Sequence, residues 1–157
     1  MRVELNDDEW ELAKQVGKAR QGRRSAAGDR SYWKTTEAEA EAAHIVGAAG
    51  EIAAAKVLNR YPSGLFLDMA ADDDVSGIQV RTRRKEGYEL YLFPKDPEDA
   101  WYVLLIGTSR SFVYKGAIHG KDAMKPENWR EKGKNGSFPK KACWIVSPYD
   151  LDAIVRP

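Results

Sequence analysis

Four side chains in this sequence, Glu51, Asp74, Gln79 and Arg81, have the types and spacing to handle a phosphate. Asp74 closes the acidic run Asp72-Asp73-Asp74 and leads into "VSGIQVRTRR". Side chains alternate along a strand, so Gln79, Arg81 and Arg83 share one face and the apolar Ile78 and Val80 take the other. Ser76 and Gly77 supply a tight turn, which folds the Asp74 carboxylate back beside the strand. Glu51 stands in "GAAGEIAAAKVL", where its neighbours three and four positions away, Gly47, Ala48, Ala54 and Ala55, are all small. A helix carboxylate ringed by small residues can approach a neighbouring sheet closely. Carboxylates set beside guanidiniums can hold a divalent cation against a phosphate. A solvated turn followed by a charged edge strand is the plainer reading, and it suffices for Asp72 and Asp73.

The elements that must position these groups can be read in order. "LNDDEW" has Asn6 as an N-cap, Glu9 as its capping-box partner, and Leu5 with Trp10 as a hydrophobic staple, which predicts a helix to about Lys18. "ARQGRRSAAGDRSYWK" reads as a loop in which Arg20, Arg23, Arg24 and Arg30 mingle with Tyr32 and Trp33, a composition suited to nucleic acid and equally to a linker. A second helix starts after Thr36, with Glu39 as its capping partner and Ile45, Ala49, Ile52 and Val57 as core contacts. Strands are expected over 65–68, 78–83, 88–93, 101–107 and 112–118, then at "CWIVS", with a short closing helix capped by Ser147 and begun by Pro148. Helices followed by a run of strands predict an α+β fold, a central mixed sheet of about five strands flanked by helices.

At 157 residues the chain suits a single domain, with 43% hydrophobic residues to form its core. The lone Cys143 excludes an internal disulfide and a cysteine-rich zinc site, and in "ACWIV" it reads as a small buried hydrophobe. No apolar run is long enough to span a membrane and no signal peptide pattern opens the chain, so the expectation is a soluble cytoplasmic protein. The net charge of +1 conceals a segregation: 8 acids against 2 bases over 37–74, and 8 bases against 3 acids over 115–141. One face is thereby suited to a cation and another to an anionic partner.

With these residues in view, the sequence resembles the PD-(D/E)XK nuclease superfamily, the restriction-endonuclease-like fold. The resemblance rests on "GAAGEIAAAKVL", on "DDVSGIQVRTR", and on a tail, "FVYKGAIHGKDAMKPENW" with "ACWIVSPYDL", like that of small phage-associated and bacterial members. It covers roughly 36–157 and leaves residues 1–35, the first helix and the Arg-rich loop, as an appendage. It implies Glu51 and Asp74 as ligands of Mg²⁺ or Mn²⁺, Gln79 in the place of a second acid, and Arg81 in the place of a lysine. Both replacements matter. An amide oxygen binds a divalent cation more weakly than a carboxylate, and a guanidinium stays protonated, so Arg81 can stabilise charge but cannot act as a base. The implied activity is hydrolysis of phosphodiester bonds by metal-activated water, in DNA and with weak sequence specificity. The alternative is a degenerate nuclease fold that binds nucleic acid or a protein partner without cutting.

Arg83, Arg84 and Lys85 extend the strand that bears Arg81, while Lys121, Lys125 and Arg130, with Lys132 and Lys134, could line a neighbouring loop. Such groups position a nucleic acid through its phosphates without reading its sequence. His44 and His119 read as packing or surface residues, and Trp101, Tyr102 and Trp144 as core. A homodimer is compatible with the sequence, and no membrane contact is expected.

Overall fold

The computed structural model describes residues 1–26, 36–60, 62, 74–75 and 77–153. The expected strand over 65–68, with Asp72, Asp73 and Ser76, lies outside the described residues, as do Arg30, Tyr32 and Trp33. The fold is α+β with a central mixed sheet.

Both capping boxes form. The Glu9 N–H donates to Asn6 Oδ1 at 2.8 Å while the Asn6 N–H donates to Glu9 Oε2 at 2.8 Å, and Thr36 and Glu39 exchange the same pair of bonds. The first starts α1 (Asp7–Ala26) and the second α2 (Glu37–Leu58). α1 runs through Arg20, Arg23 and Arg24, which correct the expected loop: three arginines counted as loop residues are helical. Arginine is a good helix former, and packing on α2 carries the helix past Gly17 and Gly22. At Gly17 the two helices meet so closely that a Cβ would lie 2.5 Å from Ile45.

The central sheet has the order β1 (Arg2–Glu4), β5 (Ser111–His119), β4 (Trp101–Gly107), β2 (Ile78–Arg83). β2 runs parallel to β4, and the other pairs are antiparallel. β1 was not legible as a strand, and it joins the sheet through β5, while Trp10 and Val16 of α1 pack into the same core as α2. The first 26 residues are therefore built into the body of the domain. A second sheet, β3 (Leu90–Leu92), β7 (Cys143–Val146), β6 (Trp129–Arg130), covers the opposite face. Between them lie a short helix, α3 (Gly120–Ala123), and single 3-10 turns; the last of these, Pro148–Asp150, is capped by Ser147, whose Oγ accepts the Tyr149 N–H.

These two covers explain the continuous apolar run of β4. Val103 and Leu105 face the helices, with Ile78 and Val80 of β2 beside them. Tyr102, Leu104 and Ile106 face the second sheet, against Leu90, Leu92 and Val146. Both faces of β4 are dry, so no position needs to be polar. On β2 the alternation expected from the sequence holds: Ile78 and Val80 are buried on the helix side, and Gln79, Arg81 and Arg83 are half-buried on the other. α2 reaches β2 most closely at Gly50, where a Cβ would collide with the side chain of Thr82. The next residue along the helix is Glu51.

Candidate functional site

Glu51 is the buried charged side chain among the described residues, only 6% exposed. Its burial follows from the close approach at Gly50. Arg20, on α1, answers it with a bidentate pair: Nη1 donates to Oε1 at 2.7 Å and Nη2 to Oε2 at 2.8 Å. Burial pushes the Glu51 carboxyl up, against the downward pull of the Arg20 hydrogen bonds and charge. Those same bonds raise Arg20, so the pair is held ionised on the arginine side. Sequence reasoning placed Arg20 in a loop, suited to nucleic acid or to a linker, and missed this contact; the arginine sits 31 residues from its partner.

Asp74 stands where the chain enters β2. Its N–H and that of Val75 donate to the Ile78 carbonyl, closing the turn around Gly77, whose φ of 84° requires a glycine. The Asp74 carboxylate then folds back, and Oδ2 accepts the Val80 N–H at 2.7 Å. That N–H points away from β4, so Asp74 caps the side of β2 that has no strand partner among the described residues. From this margin its charge is felt on both faces of the sheet. It favours charge on Arg20 and disfavours it on Glu51 to one side, and it adds to the upward push on Tyr102 on the other.

Across the sheet, Arg81 Nη1 lies 3.4 Å from Gln79 Oε1, and Arg81 Nη2 pairs with Asp96 Oδ1 at 3.1 Å. Asp96 is fixed in turn by the Phe93 N–H at 2.8 Å. The Arg81 guanidinium also lies 5.3 Å from the centre of the Tyr102 ring. Burial, then the charge of Asp96, pushes the Tyr102 phenol up to about 12, and its hydroxyl donates to the Pro97 carbonyl. Arg81 is thus a held cation.

The four residues are accordingly divided between the two faces of the sheet. Glu51 faces Arg20 within reach of the Asp74 charge, Gln79 faces Arg81, and Asp74 joins the pairs around the open margin of β2. No group of three or more His, Cys, Asp or Glu side chains that could hold a metal occurs among the described residues. Two carboxylates and one amide oxygen are donors of the kind a hard cation takes, but they are divided by the sheet: Glu51 lies on its helix side, Gln79 on the other face, and Asp74 at the margin. Arg20 holds both Glu51 oxygens, so a metal at Glu51 would have to displace the guanidinium.

The basic residues divide as well. Arg83, Arg84 and Lys85 lie at the end of β2, beside Ile106 of β4. Lys121 and Lys125 follow His119, which pairs with Trp101 at the other end of β4. Lys121 faces Asp99 at 3.7 Å, Lys125 faces Asp122 at 3.4 Å, and Arg130 donates to the carbonyls of Glu127 and Trp129. His119 stacks edge-on against Trp101 and accepts the Lys121 N–H, a packing and capping role. The lysines that do come beside Arg83 are Lys140 and Lys141. Their signal in the sequence was the pair "KK" after Phe138-Pro139.

No helix of the described residues is long and apolar enough to cross a membrane. No family model, curated protein or solved structure matches this chain.

Proposed function

We propose that the chain is a nuclease domain of the PD-(D/E)XK type that hydrolyses phosphodiester bonds, with DNA as the favoured substrate. One observation carries the reading: a buried helix carboxylate, Glu51, and a strand-margin carboxylate, Asp74, held by the Val80 N–H, flank the strand that bears Gln79 and Arg81. Of the three expected ligands, Glu51 and Asp74 are those that would hold Mg²⁺ or Mn²⁺, while Gln79 stands with Arg81 on the other face of β2. When bound, such an ion supplies an activated water and neutralises charge on the phosphate. Arg81, tethered to Asp96 and permanently protonated, stabilises negative charge developing on the phosphoryl oxygens and takes no proton. Asp74 is pre-set by the Val80 N–H, so its orientation does not depend on the ligand. The basic end of β2, Arg83 with Arg84 and Lys85, holds the flanking backbone without reading bases.

A second reading has its own support. The Arg20 pair occupies both oxygens of Glu51, which favours a nuclease fold that binds nucleic acid and no longer cuts it. Titration calorimetry with Mn²⁺, run beside a plasmid and oligonucleotide cleavage assay, separates the two. Metal binding and cleavage that both vanish in Asp74→Ala support the nuclease. Salt-sensitive DNA binding with neither metal binding nor cleavage leaves the binding module.

A further inference from the structure

On the face of β2 away from the helices, the second sheet and the segment between β6 and β7 surround a cavity of about 470 Å³ lined by Arg81, Arg83, Tyr91, Phe138, Lys140 and Lys141. Four of these are cations and two are aromatic, and no carboxylate of the described residues lines the wall. Arg81 is balanced by Asp96. Arg83 is not: its guanidinium lies 4.2 Å from the centre of the Tyr91 ring and 5.0 Å from that of Tyr88, and its Nε is buried with no hydrogen-bond partner among the described residues. A guanidinium nitrogen buried without an acceptor costs free energy that an anion in the cavity would recover. Lys140 donates to the Gly136 carbonyl and so has no acid as its partner there. Phe138, beside Tyr91 at 5.5 Å between ring centres, is 57% exposed at the mouth. An open aromatic face next to unbalanced cations is the combination that takes a base on the ring and its phosphate on the charges. The volume lies in the range of small-ligand pockets and holds about one nucleotide.

We infer that this cavity receives one unstacked nucleotide of single-stranded DNA, its base against Phe138 and its phosphate on Arg83 and Lys140. The inference rests on the nucleic-acid part of the proposed function and adds the substrate class: a strand whose bases are free to turn outward, such as a frayed end, in preference to continuous duplex. In a duplex the bases face each other and cannot reach the ring. Arg81 lines the cavity as well as facing Gln79, so a nucleotide held here lies beside the candidate hydrolytic site.

The test measures fluorescence anisotropy of a labelled dT12 oligonucleotide, a 12-base-pair duplex and an RNA U12 in EDTA, with polyglutamate as a competing polyanion. The expected result is tighter binding of dT12 than of the duplex, weakened roughly five- to a hundredfold by Phe138→Ala and restored by Phe138→Trp. Lys140→Gln should lower the salt dependence of dT12 binding by close to one phosphate contact. Phe138 is exposed, so its replacement leaves the fold intact, which circular dichroism checks. Equal binding of duplex and dT12, or no effect of Phe138→Ala, overturns the inference. Displacement of dT12 by polyglutamate as readily as by unlabelled dT12 reduces the cavity to a general anion site and also overturns it. Binding of U12 as tight as dT12 keeps the unstacked nucleotide and removes the preference for DNA. Because EDTA removes any metal, failure here leaves the cleavage assay untouched, and Phe138-dependent binding without cleavage overturns the nuclease and not the cavity.

Discussion

The Arg20 guanidinium grips both oxygens of Glu51, at 2.7 and 2.8 Å, in the gap between α1 and α2. Neither residue is the other's neighbour in sequence, and each is costly to bury alone. Arg20→Met should therefore destabilise the fold by about 3 kcal/mol, because it leaves a buried carboxylate without its partner. Arg20→Met combined with Glu51→Leu should recover most of that loss. Urea denaturation of the three proteins checks both statements; a single mutant as stable as the parent would show the pair to be dispensable.

Metal affinity should respond in the opposite sense at the margin of β2. Gln79→Glu replaces an amide oxygen with a charged one next in the chain to Val80, whose N–H holds Asp74, so Mn²⁺ should bind more tightly by calorimetry. Asp74→Ala should remove binding in both backgrounds. Gln79→Glu also brings a carboxylate to Arg81, so the gain should be larger when Arg81 is replaced by Lys, a weaker partner for a planar carboxylate.

Gly50→Ala tests how closely α2 lies on the sheet. The added methyl meets Thr82, and overpacking of this kind costs about 1 to 3 kcal/mol. Thr82→Ala in the same protein removes the hydroxyl and methyl from the collision and should return part of the stability in thermal unfolding.

His44 provides a pH dependence. Its pKa is lowered from the ordinary value, first by burial and then by the charges of Arg24 and Arg20. A histidine lowered in the folded state takes up its proton more readily when unfolded. The folded protein is therefore favoured above the unfolded value near 6.5 and loses stability as the pH falls below it, until the folded value is passed. His44→Gln should flatten the stability profile in that window, measured as denaturation midpoints at stepped pH.

What could be read from the sequence was what is decided locally. The two capping boxes needed only residues three apart, and the alternation of "IQVRTR" needed only the pleat. Arg20 shows the opposite case. "ARQGRR" has the composition of a polar loop, and only α2, packed at Gly17 and offering Glu51, makes it a helix. β1 is three residues long and carries no pattern of its own; β5 defines it. The cavity was invisible for the same reason, because Arg83 and Phe138 meet only after the second sheet has folded over the first.

The pairing of β1 with β5 sets an order of events during synthesis. Arg2 lies opposite Val113, Glu4 opposite Ser111, and the Met1 carbonyl accepts the Tyr114 N–H. On a ribosome adding about 5 to 20 residues per second, those partners emerge on the order of ten seconds after the strand that needs them. Until then the two capped helices can pair on each other, while the first strand waits with its backbone hydrogen-bonding groups turned to water. Closure of the sheet at that edge is thus a late, long-range step, and amide exchange at Val3 and at its partner Phe112 should become protected together, after the α1 and α2 amides.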